Sequence, residues 1–146
     1  MNYTKEMIYD FLMQVDCDFP VAISSKVDLE VYAAKLFNYS TICAYINEGK
    51  IEGMVAGYSN DHKEGIGYIA LVATLKSVRN QGIASRLVHE FIDVSKAQKM
   101  NLVHLYTDKS NSGAISMYHR LGFVEYIVES EPRPDDVHLV YYIERK

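Results

Sequence analysis

The stretch YIALVATLKSVRNQGIASRLVHEFIDVSKAQKM, residues 68–100, decides the fold of this chain. Residues 68–75 are apolar and partly β-branched, which predicts a buried strand. A polar loop follows over residues 76–81. Gly82 then leads into a helix whose apolar side chains recur at steps of three and four residues, as one buried helix face requires. The stretch therefore predicts a strand, a glycine-containing turn and a long amphipathic helix.

The turn between this strand and this helix has the chemistry of an anion site. The first amides of a helix have no partner inside it, and the helix dipole adds positive charge there. Gly82 and Ala84 keep the main chain accessible, and Arg79 and Arg86 would add charge-assisted hydrogen bonds. An ordinary strand-to-helix turn is the alternative. The sequence contains neither G-x-x-x-x-G-K-[ST] nor the full G-x-G-x-x-G of a dinucleotide fold.

Two blocks of the sequence resemble the signature of a known family. RNQGIA, residues 79–84, fits the Arg/Gln-x-x-Gly-x-Gly/Ala motif of the GCN5-related N-acetyltransferases (GNAT). NSGAISMYHRLGF, residues 111–123, is similar to the family's N-x-x-A-x-x-x-Y-x-x-x-G-F. The resemblance covers residues 41–142 and implies acetyl transfer from acetyl-coenzyme A to an amine. It also implies a mixed sheet that splays open after its central strand, with the cofactor in the gap.

The resemblance implies that acetyl-coenzyme A, the co-substrate, lies along the strand, the loop and two helix starts. In the family, loop amides hold the pyrophosphate, and the opened strand edge pairs with the peptide-like arm. A strand N–H would also polarise the thioester carbonyl. The residues so assigned are Leu71, Val72, Ala73, Thr74, Arg79, Asn80, Gln81, Gly82, Ile83, Ala84, Ser85, Asn111, Ala114 and Tyr118. Asn111 has two interpretations, a helix cap or a hydrogen bond to the pantetheine arm.

Tyr118 is the predicted catalytic residue, because the family often uses a tyrosine here to protonate the coenzyme A thiolate. Packing against the sheet is the alternative for this side chain. The base is not visible, since residues 68–74 contain no carboxylate where many family members have one. A water chain is one alternative. The side chains that could serve instead are Glu30, Asp61, His62, His104, Asp136 and His138.

Composition bounds the remaining possibilities. The chain has 146 residues, 49% of them hydrophobic, which suits a single domain over residues 1–146. A net charge of -4 argues against nucleic acid or an anionic membrane as partner. The five histidines and two cysteines show no metal-ligand spacing, so no metal is expected. Neither cysteine lies in the two matching blocks, so no acyl-enzyme is expected. Without a signal segment or a long apolar run, we expect a soluble cytoplasmic protein, with a homodimer left open.

The remaining elements complete an α/β fold with a GNAT-like mixed, splayed sheet and helices on both faces. Glu48-Gly49-Lys50 predicts a hairpin turn, and Gly122 predicts a helix end. Helices are predicted at residues 4–15, 28–37 and 114–120, and strands at residues 40–47, 51–60, 102–107, 123–129 and 137–144. Family members commonly begin with a strand. Residues 1–5 are too short and polar for one, so the sheet is expected to lack that edge.

The predicted acceptor is a small-molecule primary amine of depressed pKa, with an amino sugar or sugar nucleotide ahead of an α-amine and both ahead of a protein lysine. A lysine amine with a pKa of about 10.4 is neutral in roughly one molecule in 2,500 at pH 7. Four aromatic side chains are expected beside the acceptor: Phe19, Tyr32, Tyr39 and Tyr58. The alternative from another class is a coenzyme A-binding sensor or interaction module without transfer activity.

Overall fold

The computed structural model describes residues 2–126 and 133–143. Within them, the chain forms four α-helices and six strands. In chain order these are α1 Lys5–Val15, α2 Leu29–Tyr39, β1 Thr41–Asn47, β2 Lys50–Tyr58, β3 Ile66–Thr74, α3 Ile83–Ala97, β4 Leu102–Asp108, α4 Ser112–Leu121, β5 Val124–Glu125 and β6 Asp136–Tyr142. Short 3₁₀ turns occupy Asp16–Asp18, Ile23–Ser25 and Lys76–Val78.

The six strands form one mixed sheet in the order β1-β2-β3-β4-β6-β5. β3 and β4 run parallel, and the other neighbouring pairs are antiparallel. Helices α1 and α2 pack on one face and α3 and α4 on the other, which confirms the predicted fold class. Among the described residues no strand precedes α1, and β1 is an edge of the sheet.

Local signals account for most of the element boundaries. The Thr4 side chain accepts a hydrogen bond from the Met7 amide and starts α1, and Asp28 caps α2 in the same way. At the β1–β2 turn, Glu48 and Gly49 have φ of 51° and 76°, as a tight hairpin turn requires. Gly122 ends α4 with φ of 108°.

Most element boundaries differ from the prediction by one or two residues. β3 begins two residues earlier than predicted, at Ile66, and α4 begins at Ser112 because Asn111 caps it. The predicted strand over residues 123–129 is shorter than expected: among the described residues only Val124–Glu125 form β5, Phe123 and Tyr126 are outside the strand, and residues 127–129 lie outside the described part of the chain. The end of the last predicted strand, Glu144, also lies outside.

Two hydrophobic cores lie on opposite faces of the sheet. The core under α3 and α4 includes Ile69, Phe91, Leu105 and Tyr118, and the core under α1 and α2 includes Leu71. Successive strand residues normally point to opposite faces, so Ile69 and Leu71 should share one. They do not, and the side-chain alternation of β3 therefore changes between them.

The cause is a β-bulge at Ala70. Gly57 of β2 pairs with Ile69 and the preceding Ala56 pairs with Leu71, which leaves Ala70 as the extra residue. Gly57 is itself a point of close approach, since an added Cβ would lie 2.2 Å from the Tyr68 carbonyl oxygen and 2.8 Å from the Phe91 ring. The bulge and this glycine bring α3 close to the sheet where β3 changes direction.

We expect Gly57→Ala to destabilise the protein by about 3 kcal/mol, because neither a main-chain oxygen nor a fully buried ring can move aside cheaply. Denaturant unfolding measures the effect. Gly113→Ala is the matched control: an added Cβ there meets nothing within 4 Å, so stability should be unchanged or slightly raised. Equal unfolding midpoints for the two variants would contradict the packing described for Gly57.

Candidate active site

A cleft opens in the sheet between β3 and β4. The two strands pair only at their first three positions, ending with Tyr68 opposite His104. Beyond that pair, residues 69–74 of β3 pair with β2 and with no other strand among the described residues, while residues 105–108 of β4 pair with β6. We call the gap between these two segments the cleft. The main chain of β3 thus presents an edge without a strand partner, formed by Leu71, Val72, Ala73 and Thr74, to an extended ligand, although the Thr74 carbonyl accepts hydrogen bonds from Arg79.

The start of α3 lies just beyond the end of β3. Gly82 precedes the helix with φ of 78°, no side chain caps it, and the space beside its α-carbon is open to 4 Å. The N–H groups of Ile83, Ala84 and Ser85 therefore have no carbonyl acceptor within the helix, and they lie at the positive end of the helix dipole. Asn80 also has positive φ, at 65°. This turn fits an anionic group such as a pyrophosphate.

The side chain of Arg79 is already engaged in a different role from the one predicted. Its Nε and Nη2 donate to the Thr74 carbonyl at 3.2 and 3.0 Å, and Nη2 also donates to Asp18 at 2.8 Å. Arg79 thus ties the end of β3 to the loop that joins α1 and α2. The Arg86 guanidinium lies 5.4 Å from the centre of the Tyr45 ring and 3.9 Å from Glu90, away from the turn.

The second sequence block forms α4. Asn111 accepts a hydrogen bond from the Ala114 amide at 3.3 Å, which is the capping role considered from sequence. Tyr118 is 4% exposed, packs edge-on against Phe123, and has no hydrogen-bond partner among the described residues. Burial raises the pKa of Tyr118 well above its usual value, so the hydroxyl carries its proton throughout the physiological range.

Two of the six candidate bases lie together at the closed end of the cleft. His104 and His138 form a hydrogen bond between Nδ1 and Nε2 at 3.0 Å, and we call them the histidine pair. The His104 ring also lies 5.0 Å from the Tyr68 ring. Burial, followed by the neighbouring His138, lowers the pKa of His104, so its imidazole is neutral near pH 7.

The other four candidates have surroundings that suit structural roles. Glu30 is exposed in the first turn of α2, and His62 is exposed in the β2–β3 turn. Asp61 accepts a hydrogen bond from the Glu64 amide, as a turn residue does. Asp136 binds Arg133 at 3.1 Å, and that guanidinium lies over the Tyr106 ring. The structure therefore favours the histidine pair.

Tyrosines extend the site from the histidine pair toward α2. Tyr68 pairs across the sheet with Tyr58, and Tyr32 of α2 lies near both. Burial chiefly, with small contributions from Tyr58 and Tyr68, raises the pKa of Tyr32 to about 12. Tyr32 and Tyr58 thus lie near Tyr68, whose ring contacts His104. Of the other two aromatic residues predicted beside the acceptor, Tyr39 is 71% exposed at the end of α2, and Phe19 packs into the core under α1 and α2.

Sequence reasoning missed two members of the site. Asp18 holds Arg79 across 61 residues of chain, and no motif links them. Tyr68 opens the stretch that decides the fold, yet its neighbour His104 is known only once β3 and β4 are aligned. Polar aromatic residues such as Tyr68 and His104 on otherwise apolar strands are the sequence signal that could have identified this face of the sheet.

No group of three histidine, cysteine, aspartate or glutamate side chains within residues 2–126 and 133–143 is arranged to hold a metal ion. No helix in the same part of the chain is long and apolar enough to cross a membrane.

Comparison with known proteins connects this geometry to a family. A model described as "Acetyltransferase (GNAT) family" matches residues 9–123, which is most of the chain. The solved structure of Ard1 from Thermoplasma volcanium superposes with a TM-score of 0.78, covering 98% of this chain and 95% of that one. At 17% sequence identity, that likeness concerns the fold alone.

Two curated relatives carry informative names. The chain is 31% identical over 104 residues to an N-alpha-acetyltransferase MAK3 of Arabidopsis thaliana, covering 70% of this chain and 55% of the relative. It is 43% identical over 60 residues to an N-alpha-acetyltransferase 30 of Schizosaccharomyces pombe, covering 41% and 40%. The chain thus spans about half the length of the curated relatives it matches.

Proposed function

This chain belongs to the GNAT family of acetyltransferases, and from that premise we propose that it transfers acetyl from acetyl-coenzyme A to an α-amine. The observation that carries the proposal is the cleft, which joins an anion-binding helix start on one face of the sheet to a histidine and tyrosine surface on the other. A donor bound from the α3 side and an acceptor bound from the α2 side would meet at its closed end. The attack is direct, without an acyl-enzyme.

The residues around the cleft fit acetyl-coenzyme A, which would supply the acetyl group as an activated thioester. The open space at Gly82 and the uncapped amides of α3 suit the pyrophosphate. The unpaired edge of β3 suits the peptide-like arm, with Asn111 and Ala114 at the start of α4 nearby in the family's arrangement. Arg79 contributes through its main chain, while its side chain fixes the end of β3.

His104 is the proposed general base. It lies at the last paired position before the cleft opens, and it is neutral near pH 7, as a proton acceptor must be. Tyr68, whose pKa is raised by burial, keeps its hydroxyl as a donor beside His104 and helps hold the amine. The base would take one proton from the ammonium group so that the nitrogen lone pair becomes available for attack.

Tyr118 is the proposed acid, and it supplies a proton to the leaving sulfur. We expect Tyr118→Phe to lower kcat by about a hundredfold or less while changing the KM for acetyl-coenzyme A little. A phenol is a weaker acid than a thiol, and burial weakens it further, so the contribution is bounded. Steady-state kinetics measure the effect. Because the hydroxyl has no hydrogen-bond partner among the described residues, the thermal stability of the variant should not fall. A variant with the wild-type kcat would mean that Tyr118 contributes only to packing.

Among the possible acceptors we rank the α-amine first, because both relatives are named N-alpha-acetyltransferases. The sequence alone favoured an amino sugar. An amine with a pKa near 8 is neutral in about a tenth of molecules at pH 7, which suits a single histidine base. The amino sugar remains the second acceptor class, since Tyr32, Tyr58 and Tyr68 present flat faces and hydroxyls to a polyol ring. A protein lysine stays last on the same pKa argument.

A panel of amines tests the proposal, with release of the coenzyme A thiol as the readout. It contains peptides with a free α-amine, the same peptides blocked at the α-amine with a free lysine, and amino sugars with their nucleotide conjugates. We expect fastest turnover with the free α-amine. Faster turnover of amino sugars would restore the order predicted from sequence. Tight coenzyme A binding without turnover of any amine would support the sensor function instead.

A further inference from the structure

The histidine pair gives His104 one polar neighbour among the described residues. Its Nδ1 lies 3.0 Å from His138 Nε2, and its other contacts are aromatic rings, those of Tyr68 and Tyr106. One of the two facing nitrogens must carry the hydrogen, because two lone pairs would repel. The pair therefore exists in one of two arrangements, and they differ in what His104 offers to the cleft.

In the first arrangement His104 Nδ1–H donates to His138, and His104 Nε2 is left with a lone pair. In the second, His138 Nε2–H donates to His104, and His104 Nε2 then carries a hydrogen and cannot accept a proton. The two nitrogens of an imidazole point in widely different directions. Nε2 of His104 therefore points away from His138, whichever arrangement holds. Only the first makes His104 a base.

His138 is rigidly placed for this task. It lies on β6, the strand between β4 and β5, directly across from Tyr106. Its ring stacks on Tyr106 with centroids 4.5 Å apart and planes 14° apart, and the Tyr126 ring meets it edge-on at 5.7 Å. A ring held on two sides cannot turn freely, so Nε2 stays directed at His104.

We propose that His138 is a positioning residue that holds His104 in the tautomer with a free Nε2 lone pair by accepting its Nδ1–H. The 3.0 Å contact fits both arrangements, and the choice of the first rests on the proposed function. In the reaction, an N–H bond of the ammonium breaks and its electron pair stays on the amine nitrogen. An N–H bond forms at His104 Nε2, and the resulting imidazolium still donates its Nδ1–H to His138.

Two variants separate this role from packing. His138→Phe keeps an aromatic ring to stack on Tyr106 and removes the acceptor. His138→Gln offers an amide oxygen that can accept from His104 Nδ1–H. We expect kcat to fall by roughly tenfold in the phenylalanine variant, at unchanged KM for acetyl-coenzyme A, and to recover most of that loss in the glutamine variant.

The imidazole ¹⁵N chemical shifts of His104 provide the second readout, measured on the full chain without substrate. We expect a protonated Nδ1 in the wild type and in His138→Gln, and a shift toward the Nε2–H tautomer in His138→Phe. A wild type with Nε2–H, or a tautomer indifferent to both variants, would overturn the proposal. Because this measurement needs no turnover, it stands even if the amine panel shows no transfer.

Discussion

Gly82→Glu should abolish binding of coenzyme A while leaving the protein folded. The space beside Gly82 is open, so a side chain fits the empty turn, at the cost of holding a non-glycine residue at φ of 78°. A carboxylate there would face the pyrophosphate. Two like charges about 4 Å apart near a protein surface repel by roughly 4 kcal/mol, which corresponds to about a thousandfold in affinity. Calorimetry with coenzyme A measures the loss.

Gly82→Gln is the matched control for this variant. It has the same size and the same backbone strain but no charge, so the difference between the two variants reports the electrostatic part alone. We expect the glutamine variant to bind more weakly than wild type and much more tightly than the glutamate variant. Unchanged affinity in a folded Gly82→Glu protein would remove the phosphate site from the start of α3.

His104→Phe should lower kcat by about 10² to 10³, the lower part of the usual 10² to 10⁴ for general acid–base catalysis. The phenylalanine ring can keep the contact with Tyr68, so the fold should be retained. The deficit should narrow as the pH is raised toward 9, because an α-amine with a pKa near 8 then loses its proton to solvent. Steady-state rates across pH 6 to 9 with a peptide acceptor measure both effects.

His62→Asn is the control for the histidine variant. His62 was an equal candidate from sequence but lies exposed in the turn between β2 and β3, so its loss should leave kcat and its pH dependence unchanged. A deficit of His104→Phe that stays constant across the pH range would mean that His104 shapes the site without taking the proton.

The fold was predictable wherever the signal is local. The two helices that Thr4 and Asp28 cap, the Glu48-Gly49 turn and the apolar face of α3 each depend on neighbouring residues, and each of these elements was predicted. Strand register was not predictable, because it depends on partners far away in sequence. The bulge at Ala70 shows this: residues 68–75 read as a uniformly apolar run, and nothing in that run marks where the faces exchange.

The site divides in the same way. The turn at Gly82 could be found because main-chain amides bind the ligand, and a short motif with small residues specifies them. The histidine pair could not, because His104 and His138 are 34 residues apart and meet only through the pairing of β4 with β6. Side chains from different strands are brought together by topology. A single sequence shows which residues are present but not which residues of other strands they contact.

The bulge at Ala70 also bears on how tightly a donor can bind. A protein that had to separate two paired strands before binding would have its apparent affinity reduced by the fraction of molecules in the open state. Here the extra residue exchanges the faces of β3 and bends the strand, so its later part does not follow β4. The number of residues in β3 sets this bulge, so the bend needs no ligand to produce it. We expect coenzyme A to associate in one step, at a rate that rises linearly with its concentration; a rate that levels off would indicate a closed state that must open first.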